Sequence, residues 1–454
     1  MADIAGFPYF EVQVDKADQF VDPAEPKKVI DFLASEGRGG GSPTDLFVMS
    51  HGWNNDMGEA RDLYKRFFAE VRKLMDNAMP TLGARRFAVL GVLWPSKKFS
   101  DEELIPGGAA SVASVVTDAV IQKTLDGLRR GVFDNPKADE IIDKAKMLVP
   151  GMADSPAKQK EFADLVRSLP TVGKGDAEDA SDSFFKLSGD EAMKRLSKPV
   201  MPTPTTRAGG GAGGATSLRG VGHAGSAAGA GGAAGLGSFF SGIGSAALNL
   251  LNYTTYYQMK ERAGLVGRGA INDVLRDIGA KAPAVKLHLI GHSFGARLVT
   301  AVALGPDRKP PLTFASLTLL QAAFSHNGFA LKFDGKHDGF FRDVVAEGRV
   351  AGPIVVTCSV HDSAVGRAYP IASLAAGQNA ASLGDANDPY GGMGRNGAQH
   401  TPEANTTTLG AVGGSNAFVG GKVHNLNADA LIANHSDICK PEVAYALLSA
   451  VEKS

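Results

Sequence analysis

Cysteine is nearly missing from this chain. Cys358 and Cys439 are the only two in 454 residues, too few for a disulfide framework, and each lies in an apolar stretch where a small buried thiol is the ordinary reading. A reducing compartment suits that composition. An excess of charge is missing too: 47 Lys and Arg against 48 Asp and Glu leave a net charge of −1. No broad field therefore draws the chain to nucleic acid or to an anionic membrane surface. The first ten residues lack the basic start and apolar run of a secretory signal, so the expected location is cytoplasmic. There is no His-Glu-x-x-His, no Cys-x-x-Cys and no phosphate loop ending in Gly-Lys-Ser/Thr, and neither a metal nor a cofactor is expected. Gly-x-Gly-x-x-Gly begins at Gly209, Gly220 and Gly392, but never between a strand and a helix, and in a chain with 56 glycines such matches mean little.

What the sequence does contain is organised around Gly291-His292-Ser293-Phe294-Gly295. Leu287, Leu289 and Ile290 before it suit a strand buried on both faces, and Ala296, Leu298, Val299, Ala301 and Val302 after it suit a helix packed on a parallel sheet. A serine held in a strained conformation between strand and helix projects its hydroxyl away from both. The glycines beside it leave room for the strand to fold back on the helix. The bland alternative is a plain strand-to-helix crossover in which Ser293 only caps the helix.

At 454 residues the chain could hold two or three average domains, or one α/β domain with insertions. Residues 9–14 alternate like an edge strand, 26–33 like a short helix, and 44–50 and 87–94 like buried strands. Between the last two, a helix over 57–77 starts at Asp56 with Glu59 three positions on, as in a capping box. Residues 96–245 show no strand. Helical periodicity appears over 109–128, 139–148, 157–169 and 182–196, and a Gly/Ala/Ser tract over 208–245 has linker composition. This reads as an inserted helical cap, with 1–95 and 246–454 forming the main domain. Residues 220–259 carry no Lys, Arg, Asp or Glu. They are long enough to span a bilayer but too glycine-rich for a stable membrane helix, so lipid contact through them is not the favoured reading. Helices from 248 and from 268 follow, then strands over 317–323, 353–360 and 421–426, a long Gly/Asn/Ala excursion over 374–420, and a final helix over 441–451. Helices alternating with apolar strands predict an α/β fold with a mainly parallel sheet covered on both faces.

An elbow serine needs a base and an orienting carboxylate from elsewhere. Asp362 follows the strand over 353–360, and His435 lies in a loop between the last strand and the last helix. The order Ser293, Asp362, His435 is serine, acid, histidine. Asp338 and Asp343 are alternative acids. His424 falls inside a strand and His400 in the excursion, which makes them poorer bases. Arg297, one turn after Ser293, reads as a structural anchor.

With His51-Gly52-Trp53, Trp94-Pro95-Ser96, the elbow, His361-Asp362 and Asn434-His435-Ser436, the chain resembles the α/β-hydrolase superfamily in its serine esterase and lipase-like branch. The resemblance covers about two-thirds of the chain and leaves 96–245 aside. It implies a Ser293-Asp362-His435 triad and an oxyanion hole of two amides, Phe294 and either Gly52 or Trp53. Trp94, His51 and His292 are candidates for the substrate pocket, although His51 suits ordering the oxyanion loop better than acting as base. The implied reaction is hydrolysis of a small-molecule or lipid carboxylic ester through an acyl-enzyme. An amidase, thioesterase or peptidase using the same residues, and a non-catalytic relative that binds a partner, are the alternatives.

Overall fold

The computed structural model describes residues 2–35, 41–53, 55–96, 117–129, 132–170, 181–197, 242–362, 364–365, 386 and 388–454. Nine strands lie in one sheet: β1 (Ala2–Ile4), β2 (Phe7–Gln13), β3 (Asp45–Ser50), β4 (Phe87–Leu93), β5 (Lys286–His292), β6 (Ser316–Leu320), β7 (Ile354–Cys358), β8 (Ala404–Thr408) and β9 (Val423–Asn427). Their order is β1-β2-β4-β3-β5-β6-β7-β9-β8. Every neighbouring pair is parallel except β1 and β2, which form a hairpin whose two turn residues, Ala5 and Gly6, have φ of 51° and 81°. The strand expected over 9–14 is therefore not the edge; β1 is, at three residues too short to leave a periodic signal.

Both faces of the sheet are buried, which is why its central strands read as unbroken apolar runs. Leu46 and Val48 of β3, with Leu90 and Val92 of β4, enter one core. Phe47 and Met49, with Val89 and Leu93, enter the other. The helices are α1 (Ala24–Ala34), α2 (Met57–Ala78), α3 (Asp118–Leu128), α4 (Ala138–Leu148), α5 (Pro156–Arg167), α6 (Ser181–Lys186), α7 (Gly189–Leu196), α8 (Ile243–Val266), α9 (Asn272–Lys281), α10 (Phe294–Leu304), α11 (Arg342–Ala346), α12 (Met393–Asn396) and α13 (Pro441–Glu452). On the first face lie α1, α8, α9 and α10; on the second lie α2 and α13. Helix α2 begins at the expected capping box: the Asp56 carboxylate accepts the Gly58 and Glu59 N–H groups at 2.8 and 2.9 Å, and Glu59 accepts the Asp56 N–H at 2.6 Å.

Among the described residues between β4 and β5 there is no strand. Helices α3 to α7 pack around α8, with Leu125, Phe162, Phe184 and Leu196 sharing one core with Leu250 and Tyr253. The tract over 208–241 and the first part of the helix expected over 109–128 lie outside the described residues. No helix among the described residues is long and apolar enough to cross a membrane. The 374–420 excursion contains a strand that its composition concealed: β8, Ala-Asn-Thr-Thr-Thr, pairs in parallel with β9 as an exposed edge, where β-branched threonines suit the backbone and no apolar alternation is needed.

Strand order sets where a site can form. From β3 the chain crosses through α2 to β4 on one side, whereas β5 pairs with β3 on the other. The helices leaving β3 and β5 thus diverge, and it is at the C-terminal ends of two such strands that an open parallel sheet places a site.

Candidate active site

Ser293 lies at that end of the sheet, between β5 and α10, with φ 58° and ψ −123°. A left-handed φ is costly for a residue with a side chain and persists only where the surroundings enforce it. Here the constraint is packing. A Cβ on Gly291 would lie 2.4 Å from the Ala296 Cα, and one on Gly295 would lie 2.2 Å from the Ser50 carbonyl oxygen. Helix α10 therefore closes on its own strand and on β3 only with glycine at both positions. Main-chain bonds hold the serine from outside: its N–H donates to the Leu320 carbonyl at 3.0 Å, and its carbonyl accepts the Ala323 N–H at 3.1 Å.

The loop after β3 packs directly on this turn. A Cβ on Gly52 would lie 2.6 Å from the Ser293 Cβ and 3.2 Å from the His292 Nδ1. Phe294 is the first residue of α10, so its N–H has no intrahelical acceptor. The Trp53 ring stands edge-on to Phe294 at 5.8 Å. His51 is fully buried and holds the loop from beneath: Nδ1 donates to the Gly52 carbonyl at 3.0 Å, and Nε2 accepts the Trp94 N–H at 3.2 Å. Loss of hydration lowers its pKa to about 4, so the ring is neutral. Trp94, equally buried, donates its indole N–H to the His51 carbonyl at 3.1 Å. Trp94 and His51 are therefore a buried platform under the loop rather than pocket walls.

On the other side, His435 arrives from the loop after β9. Its Nδ1 donates to the Asp362 Oδ2 at 2.8 Å, which leaves Nε2 as the basic nitrogen. Asp362 is wholly buried, and its oxygens also accept from Gln321 Nε2 at 3.2 Å and from the Val365 N–H at 2.9 Å. Its position comes from the end of β7, where the Asp362 N–H donates to the Ser359 carbonyl and the Ser359 hydroxyl to the Ile432 carbonyl, at 3.0 and 3.1 Å. His292 ties the two halves together. Its Nε2 donates to the His435 carbonyl at 3.0 Å, and the two rings lie 4.9 Å apart. Burial lowers the His292 pKa to about 3, with the nearby His435 acting the same way. Its Nδ1 is buried without a partner. Ser293 and His435 are not hydrogen-bonded to each other in this structure.

Neither a family model, nor a curated protein, nor a solved structure matches this chain.

The structure thus gathers Ser293, Phe294, Gly52, Trp53, His292, His435 and Asp362 at one end of the sheet. The alternative acids are elsewhere: Asp338 is exposed and accepts the Lys332 N–H at 2.8 Å, and Asp343 is exposed in the first turn of α11. His424 bonds the Val419 main chain from within β9, and His400 bonds Asn327 at 2.9 Å. Arg297 is an anchor as expected, donating to the Lys260 carbonyl at 2.9 Å and stacking near Phe340 and Phe341. Sequence reasoning missed Gln321. The available signal was an amide inside the apolar run Leu319-Leu320-Gln321-Ala322-Ala323, since a buried amide must find partners.

Proposed function

We propose that this protein is a serine hydrolase of the α/β-hydrolase type that cleaves carboxylic esters. The observation that carries the reading is a buried Asp362 bonded to His435 at 2.8 Å, beside a serine held at φ 58° on a strand-to-helix turn. In the proposed reaction, the Ser293 Oγ attacks the ester carbonyl carbon while His435 Nε2 takes its proton. The oxyanion is held by the N–H of Phe294 and by one from the Gly52-Trp53 loop. His435 then gives the proton to the departing alkoxide, which leaves as the alcohol; water, deprotonated by His435, next attacks the acyl carbon, and His435 returns that proton to Ser293 Oγ as the carboxylic acid leaves. The Ser293–His435 hydrogen bond forms as substrate binds; catalytic bonds in unliganded enzymes are commonly open.

Helices α3 to α7 act as the cap in this reading. Buried rings join these helices to the elbow: Phe294 meets Tyr256 at 5.1 Å, Tyr256 meets Tyr253 at 6.0 Å, and Tyr253 meets Phe184 of α6 at 4.5 Å. The same residues could cleave an amide or thioester, and competition among the three substrate classes ranks them. Ser293→Ala is expected to lower kcat/KM for short p-nitrophenyl esters by ~10³-fold or more and to abolish fluorophosphonate labelling. Parent-like hydrolysis by that variant would end the proposal.

A further inference from the structure

Gln321 touches neither substrate nor serine side chain, yet it is fully buried and has φ 47°. For a residue with a side chain that conformation is unfavourable and needs enforcement. It turns the chain sharply after β6, so that Leu320 and Ala323, on either side of the turn, grip the Ser293 main chain from its N–H and its carbonyl at 3.0 and 3.1 Å. The side chain points the other way, into the acid. Its Nε2 donates to the Asp362 Oδ2, the oxygen that also takes the His435 proton, and to the Gly394 carbonyl, both at 3.2 Å.

The amide cannot be turned over. Thr357 Oγ1 accepts the Gln321 backbone N–H at 3.1 Å, so its own hydrogen goes to Gln321 Oε1 at 3.1 Å. That leaves Nε2 facing a carboxylate and a carbonyl, both acceptors only. Four polar groups of this residue are thus committed: the backbone N–H and Oε1 to β7, and the two amide hydrogens to the acid and to α12.

We infer that Gln321 is the positioning residue that sets the nucleophile and the acid in register, its turn placing Leu320 and Ala323 on Ser293 while its amide fixes which oxygen of Asp362 meets His435. This rests on the esterase reading above. The charged and titratable groups around the acid are His435 itself, His292 on the elbow, Arg395 bonded to the Val360 carbonyl, and Asp429 bonded to the Val360 N–H. Gln321 is the neutral donor among them. Removing its hydrogen bond concentrates charge on the oxygen facing the imidazolium, which strengthens the protonated form of His435.

The test uses Gln321→Met, which keeps length but no polar atoms, and Gln321→Asn, which suits a positive φ but carries its amide on a stem one carbon too short to hold the Asp362 bond. Two quantities are read: the acid-limb midpoint of kcat/KM against pH for a p-nitrophenyl ester, and the titration of His435 followed by NMR. Gln321→Met should lower kcat/KM by ~10-fold and raise both midpoints by about 0.5–1 pH unit, with Gln321→Asn moving both in the same directions. A folded Gln321→Met variant with a parent-like His435 midpoint overturns the inference, even where activity falls, because a role in folding alone would not move that titration. If Gln321→Met does not fold, an unmoved midpoint in Gln321→Asn overturns it. If the parent hydrolyses no ester and takes no fluorophosphonate label, the esterase reading fails, while the NMR titration still decides whether Gln321 tunes His435.

Discussion

At the scale of single residues, the site is an arrangement of what is left out as much as of what is present. Gly52 has no side chain because the Ser293 Cβ would lie 2.6 Å from its Cβ, a distance no pair of carbons tolerates. Gly52→Ala must therefore push the loop away from the elbow. Its expected effect is a loss of ~10²-fold or more in kcat with a smaller change in KM, as when an oxyanion donor is displaced. The melting temperature should fall as well, since Gly52 is buried against Ser293 and His292. Parent-like kcat in Gly52→Ala would mean that this loop supplies no donor. A few side chains announced their positions in the sequence. Asp362 and His435 were found because each follows a strand, where parallel sheets collect their chemistry. Gln321 was not, because its importance comes from a backbone angle and from partners 36 and 41 positions away.

At the scale of elements, the same residue types occur twice with opposite consequences. At the N-terminal ends of β3, β5 and β6, the Ser316 hydroxyl bonds His288 Nδ1 at 2.8 Å and His288 Nε2 bonds Asp45 at 2.9 Å. Serine, histidine and aspartate thus form a hydrogen-bonded relay there. All three are fully buried, and Arg85 closes the carboxylate side with a fork of hydrogen bonds. Burial opposes the charge on Asp45, but Arg85 and His288 outweigh it and hold the carboxyl below its ordinary range. The relay joins strands and the C-terminal helix, since Arg85 also donates to the Val451 carbonyl at 2.7 Å. Asp45→Asn leaves Arg85 uncompensated and should destabilise the fold by about 3–5 kcal/mol in chemical denaturation, with kcat/KM unchanged. A loss below 1 kcal/mol would show the network to be dispensable. Elements with strong periodicity, such as β3, β4, β5 and α2, were legible from sequence. Strand β8 was not, and neither was the π-helical turn Gly267–Ile271 between α8 and α9, which is secured by the Asp18 carboxylate accepting the Ala270 N–H at 3.1 and 3.2 Å. Both depend on partners distant in sequence rather than on a local pattern.

At the scale of the molecule, burying histidines couples stability to pH. His51 is lowered to about 4, and His292 and His326 to about 3, in each case chiefly by burial. Their folded pKa values lie below the unfolded value near 6.5, so the unfolded chain takes up these protons first. The stability they contribute is complete above pH ~6.5 and is lost as pH falls through the folded values, about 2 kcal/mol for each by pH 5. Asp45 adds a loss in the same direction below pH ~4. Melting temperature should therefore drop steeply between pH 6.5 and pH 4; a flat profile over that range would mean these rings are not buried and neutral. The amino-acid sequence alone determined the α/β class, the covered parallel sheet and the strand-turn-helix around Ser293, because burial on two faces and a glycine-flanked turn are local properties written in consecutive residues. Only the tertiary structure decided that His435 meets Asp362, that His51 and Trp94 lie beneath the Gly52-Trp53 loop, and that the Ser316 relay is sealed. Those outcomes depend on which strand ends are neighbours and on which groups water can reach, and neither is a property of any one stretch of chain.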